Sequence, residues 1–110
     1  MKKLVKEYGD FEYEDFIGTM RAEWDNNFIT FKGVDYMPTV RRNKRTGESE
    51  WYFADALECC TAANPKPLTA AYKTLDELLA APVFDGKTIA ERYGEMGKCN
   101  MFWIENCADS

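Results

Sequence analysis

The sequence predicts an α+β fold: a small antiparallel sheet of three to four strands with helices packed on one face, a two-layer sandwich. Three observations carry that expectation. The apolar period is helical between Asp10 and Asp25, shifts to two between Phe28 and Ala54, and gives way to helix-capping patterns after Thr74. Strand-like runs follow one another through short connections, which makes neighbours antiparallel. At 110 residues the chain builds one modest core and not two, so residues 1–110 read as a single domain.

Residues 1–9 read as a loose N-terminal lead. Their lysines have no apolar stretch behind them, so they are not a secretory signal. From Asp10 to Asp25, Phe16, Met20 and Trp24 recur every fourth residue with Ile17 beside them, one apolar stripe of an amphipathic helix. Asp10, Glu12, Glu14 and Asp15 crowd its start, where carboxylates meet the positive end of the helix dipole. Asp25-Asn26-Asn27 ends it.

Phe28–Lys32 and Tyr36–Arg41 are β-branched and aromatic, with Gly33 and Asp35 supplying the turn of a hairpin. Pro38 has no amide to donate and places its strand at an edge or at a bulge. The polar run Arg42–Glu50, holding Gly47, is a second and longer loop, and Trp51–Ala54 is a third strand. Asp55-Ala-Leu-Glu58 has a capping pattern for a short helix, but residues 55–63 read as helix or continued strand alike. Asn64-Pro-Lys-Pro67 must be extended. Thr74-Leu-Asp-Glu77 is a capping box ahead of Leu75, Leu78 and Leu79. A further helix starts at Asp85–Glu91, capped by Asp85 or by Thr88 with Glu91, and ends at Gly94 and Gly97. Cys99–Ile104 is a final strand, whose exposed edge leaves monomer or homodimer open.

An acidic N-terminal helix, Phe31-Lys-Gly-Val-Asp-Tyr36, an aromatic strand, Thr74-Leu-Asp-Glu-Leu-Leu79 and Phe84-Asp-Gly-Lys-Thr-Ile-Ala-Glu91 follow in that order. Together they resemble small accessory proteins carried on mobile elements and prophages of Gram-positive gut bacteria. The resemblance covers most of residues 10 to 96 and departs in the stretch from Cys59 to Tyr72 and in the tail holding Trp103. It implies a bacterial cytoplasm, an accessory gene and a binding role. It carries over no activity and no site residue.

Composition narrows the chemistry. Fourteen basic residues against nineteen acidic ones leave a formal charge of −5, and the chain has no histidine. The commonest proton-transfer group near neutral pH and the commonest metal ligand are thereby missing. No apolar run spans a membrane. Cys59, Cys60, Cys99 and Cys107 lack the spacing of a zinc knuckle, and the expectation is reduced cytosolic thiols, no metal and no cofactor. Gly86-Lys87-Thr88 matches only the end of a phosphate-binding loop, although a helix start there can hold an anion. With no base placed beside a nucleophile, no catalytic residue is assigned and the chain is not expected to be an enzyme.

Two binding surfaces remain. Three tryptophans, six tyrosines and seven phenylalanines are more than a small core holds, and surface aromatics anchor interfaces. Trp51, Tyr52 and Trp103 are the candidate contacts for an unidentified, basic protein partner. The alternative is a nucleic-acid-binding ribbon of Arg41, Arg42, Lys44 and Arg45, with Lys32 on the preceding strand. Glu48 and Glu50 just beyond it and the net charge of −5 oppose that reading at long range. The expectation is a cytoplasmic, non-enzymatic binding protein, in its sharpest form a counter-defence factor of a mobile element.

Overall fold

The computed structural model describes residues 2–105, with side chains from 5 to 100 apart from residue 25. In chain order the elements are β1 (Lys2–Tyr8), α1 (Tyr13–Ala22), β2 (Asn27–Phe31), β3 (Val34–Arg42), β4 (Ser49–Asp55), α2 (Ala56–Thr61), α3 (Leu75–Ala80), α4 (Ile89–Arg92) and β5 (Gly97–Glu105). Short 3-10 turns at Trp24–Asn26 and Tyr93–Glu95 lie between α1 and β2 and between α4 and β5. The α+β class is as the alternation and capping patterns indicate. The sheet has five strands rather than three or four, all antiparallel, in the order β1-β5-β2-β3-β4.

The additional strand is the stretch read as a loose lead. β1 pairs with β5 from Lys2↔Glu105 to Tyr8↔Cys99. Its partner lies at the other end of the chain, so no local pattern announces it. The same pairing corrects the expected exposed edge at Cys99–Ile104: β5 has β1 on one side and β2 on the other. The outer side of β4 is covered too. Trp51 and Tyr72 exchange backbone hydrogen bonds of 2.7 Å, and Leu68 N–H donates to the Phe53 carbonyl at 2.8 Å.

Pro38 finds its place through the limits of one ladder. β3 pairs with β2 only over Val34–Tyr36, so from Pro38 onward no β2 acceptor requires an amide there. The other side of β3 pairs with β4 along its length from Tyr36 to Arg42.

Pleat alternation divides the apolar residues between two faces. Ile29, Phe31 and Phe53 turn to one face, where α1 sets Phe16, Ile17 and Met20, α3 sets Leu78 and Leu79, and α4 sets Ile89 against them. Phe84 lies in their midst with rings of Phe31, Tyr36 and Phe53 within 5.1 to 5.7 Å, mostly edge to face. Burial of such aromatics is the largest single source of stability in a small domain. Phe28, Met37 and Cys99 turn to the opposite face, where Ala56 of α2 covers them with Cys59 alongside. Helices therefore lie on both faces, three on one and a short one on the other. Asp55 decides that α2 is helix: its carboxylate accepts the amides of Leu57 at 2.9 Å and Glu58 at 3.3 Å.

Two tight turns meet at one end of β3. Lys32 and Gly33 join β2 to β3 with φ of 51° and 80°, and Asp85 and Gly86 repeat the arrangement with 54° and 79°. Positive φ at both central residues is the type I′ signature, which asks for glycine at the second position. The Lys32 ammonium and the Asp85 carboxylate form an ion pair between the two turns. Asp85 thus belongs to a turn, and α4 is capped by the second alternative, the Thr88–Glu91 box, with bonds of 3.0 and 3.2 Å.

Candidate binding cleft

The apolar stripe of α1 ends in a tryptophan that the interior does not swallow. Phe16, Ile17 and Met20 are buried, the helix stops at Ala22, and the following 3-10 turn carries Trp24 out to the edge of the core. β4 brings Trp51 to meet it, on the same face of the sheet as Phe53. The two indoles are partly buried, with centroids 5.4 Å apart and planes at 87°. They stand as two walls of an open cavity of about 400 Å³, completed by Thr74, Leu75, Arg21 and Asp76. The Arg21 guanidinium donates to the Asp76 carboxylate at 2.7 Å and ties the end of α1 to the start of α3. Both side chains are largely exposed, so the pair shapes the rim more than it stabilises the fold.

A second open cavity of about 470 Å³ uses the neighbouring part of the same loop, with Tyr72, Lys73 and Glu77 facing Glu48, Ser49 and Glu50. Glu50 is held below the usual carboxylate range by hydrogen bonds from Arg41 and Asn43. The Glu77 carboxylate accepts the Lys73 amide at 3.2 Å, one residue away from the reciprocal bond that a capping box implies, while Thr74 accepts the Glu77 amide at 3.1 Å.

Of the aromatic candidates whose side chains are described, Trp51 lines this cleft and Tyr52 does not. Tyr52 faces the other way and is 1% exposed. Its hydroxyl donates to the Pro65 carbonyl at 2.9 Å, the Arg41 guanidinium sits 5.0 Å over its ring, and burial pushes its pKa up. Tyr52 is an interior residue, not a docking contact. Adjacent residues on a strand point to opposite faces, and here one face is closed by the segment around Pro65. Trp103 lies in β5 opposite Leu4, and its side chain is outside the described residues. Trp24 went unnoticed as a surface residue because it continues the α1 stripe at helical spacing. The signal was Asp25-Asn26-Asn27 directly after it, which puts Trp24 at the very end of the stripe, where helices fray.

The basic candidates separate. Lys32 lies at the far end of β3, about 25 Å from the β3–β4 loop at strand rise, and is paired with Asp85. Arg41 is tied to Glu50 at 3.0 Å and to the Tyr52 ring. Arg42, Lys44 and Arg45 stay together, and among the described residues none of them enters an ion pair. Their loop is firmly built. The Asn43 side chain accepts the amides of Arg45 at 2.8 Å and Thr46 at 3.2 Å, its carbonyl accepts the Gly47 amide at 2.7 Å, and Gly47 turns the chain at φ 76°.

The remaining reactive groups are quiet. Burial pushes the Cys59 thiol up to about 11 and raises that of Cys99, so both are held as thiols at neutral pH. Cys107 is outside the described residues. At Gly86-Lys87-Thr88 the helix start is closed by Glu91, whose carboxylate takes the Thr88 amide, and the anion reading falls. Among the described residues no three carboxylates or thiols converge, and no helix is long and apolar enough to cross a membrane. No protein-family model, no curated protein and no solved structure matches this chain.

Proposed function

We propose that this chain acts by binding another protein, without catalysis of its own, and that the Trp24–Trp51 cleft is the anchor. The observation that supports this most is the pair of partly buried indoles at right angles lining an open cavity of about 400 Å³. Tryptophans in such pockets carry a disproportionate share of binding energy when a partner desolvates them. The cleft is walled by a strand, the end of a helix and a loop pinned to β4, so little ordering is required of it on binding. With the resemblance to accessory proteins of mobile elements, we read this binding as an accessory or counter-defence role in a bacterial cytoplasm. Affinity capture from host lysate tests the reading. A stoichiometric partner recovered by the native chain and lost by Trp24→Ser and Trp51→Ser is expected; recovery by all three alike removes the cleft from the interface.

One observation favours a second reading, nucleic-acid binding. Arg42, Lys44 and Arg45 project from a loop whose backbone is already ordered. That reading predicts affinity for duplex DNA or RNA that falls with salt and is lost on replacing the three by alanine.

A further inference from the structure

The two edges of the sheet are finished differently. The outer side of β4 is covered through the backbone bonds of Tyr72 and Leu68, whereas β1 has a neighbouring strand on one side alone among the described residues. The Gly9 amide donates to the Lys98 carbonyl of β5 at 3.3 Å. By antiparallel alternation Glu7, Val5 and Lys3 direct their backbone groups the same way, so those of Tyr8, Lys6, Leu4 and Lys2 point away from the sheet. They form an open ladder. The charges along this edge are unevenly matched within the chain. In register with β5, Lys2 stands opposite Glu105, and the Lys6 ammonium lies 5.9 Å from the centre of the Phe28 ring. Lys3 and Glu7 stand opposite Ile104 and Asn100, which carry no charge. Glu7 is exposed and enters no ion pair among the described residues. Tyr8 beside it is 61% exposed.

We infer that β1 pairs with β1 of a second copy of this chain, antiparallel about a two-fold axis at Val5, and joins the two sheets into one. The outward backbone groups belong to even-numbered residues, so even-numbered residues must meet each other across the axis. With the axis at Val5, Lys2 stands opposite Tyr8 of the second copy and Leu4 opposite its Lys6 as the hydrogen-bonded pairs. Lys3 then stands opposite Glu7 of the second copy, and Glu7 opposite its Lys3, at the closer positions between those pairs. The two charges unmatched in the chain's own ladder are therefore matched twice over. Moving the axis one residue either way sets Lys6 against Lys6 or Lys2 against Lys6. Lysines on an edge ordinarily discourage a second strand, and the Val5 register is the one that keeps each of them from facing another. β4, with Trp51, lies at the far end of each half, so the cleft stays open in the dimer.

Sedimentation equilibrium over a range of chain concentrations tests this. The native chain is expected to dimerise, and less tightly as salt rises. Lys3→Glu and Glu7→Lys each set like charges opposite one another at both symmetric positions, and each should weaken dimerisation roughly tenfold. Combining Lys3→Glu with Glu7→Lys exchanges the charges and should restore the native affinity. An equal mixture of the two single variants should form a heterodimer tighter than either variant's own dimer, since opposite charges then meet across the axis. Amide spectra that match the native pattern outside β1 establish that each variant keeps its fold. A native chain that stays monomeric at roughly 1 mM overturns the inference. So does a dimer that neither single variant weakens, and so do single variants that fail to associate when mixed.

Discussion

The two ends of β3 carry similar charges and opposite assignments. At one end Lys32 and Gly33 form a two-residue turn that is bound to a second such turn through Asp85 and backed by Phe31, Tyr36 and Phe84. At the other end Arg42, Lys44 and Arg45 stand on a loop ordered by Asn43, next to open cavities lined with aromatic and acidic side chains. The closed end is rigid because an aromatic cluster lies under it. The open end is rigid through hydrogen bonds alone, which frees its side chains to meet something else. A basic residue is thus a structural tie or a free charge according to what the sheet brings beside it.

Breaking the closed end should have the largest effect. Phe84→Ala leaves a cavity among three aromatic rings and is expected to cost about 3–5 kcal/mol in urea unfolding, enough to empty most of a small domain's stability. A loss under about 1.5 kcal/mol would mean that the two turns hold that end without the cluster. At the open end, Asn43→Ala removes the acceptor of two loop amides and should cost about 1 kcal/mol. Faster amide exchange confined to residues 43–48 is the measurement, and unchanged exchange would show that Gly47 and the strand pairing suffice.

Acid should loosen both ends together. Glu50 is held down by Arg41 and Asn43, and Asp85 by Lys32. A carboxylate whose folded pKa lies below its unfolded one contributes stability above the unfolded value, and that contribution is lost as pH falls through the folded value. Unfolding midpoints should therefore fall as pH drops below about 4.5 at Glu50, and Lys32→Met should remove the Asp85 share of that drop. The smallest effect is expected from alanine at Arg42, Lys44 and Arg45 together: within about 0.5 kcal/mol in thermal unfolding, since the three make no ion pair among the described residues. A larger loss would show that the open end, like the closed one, uses its cations structurally.

Local chemistry made much of this legible. The Phe16-Ile17-Met20 stripe, the Thr74 and Thr88 caps, the strands at Phe28, Tyr36 and Trp51 and the loop around Gly47 each depend on neighbours within a few residues. Asp85 and Thr88 are alternative caps by residue type alone, and Thr88 prevails because Asp85 and Gly86 both take positive φ in a tight turn. Trp51 was legible as a site residue. Its neighbour Tyr52 was not separable from it by residue type, since alternation states that two residues differ in face and not which face is covered.

The sequence by itself determined the α+β class, the positions of most helices and strands, the absence of a histidine base and the existence of one basic loop in an acidic chain. Tertiary structure alone decided that Lys2–Tyr8 is a strand, that β5 is interior, that Tyr52 is buried while Trp24 and Trp51 meet, and that Lys32 parts company with Arg42–Arg45. The division has a physical basis. Caps, turns and periodicity are short-range preferences written into adjacent residues, whereas strand pairing and side-chain meetings join residues far apart in the chain, whose partners no local pattern names.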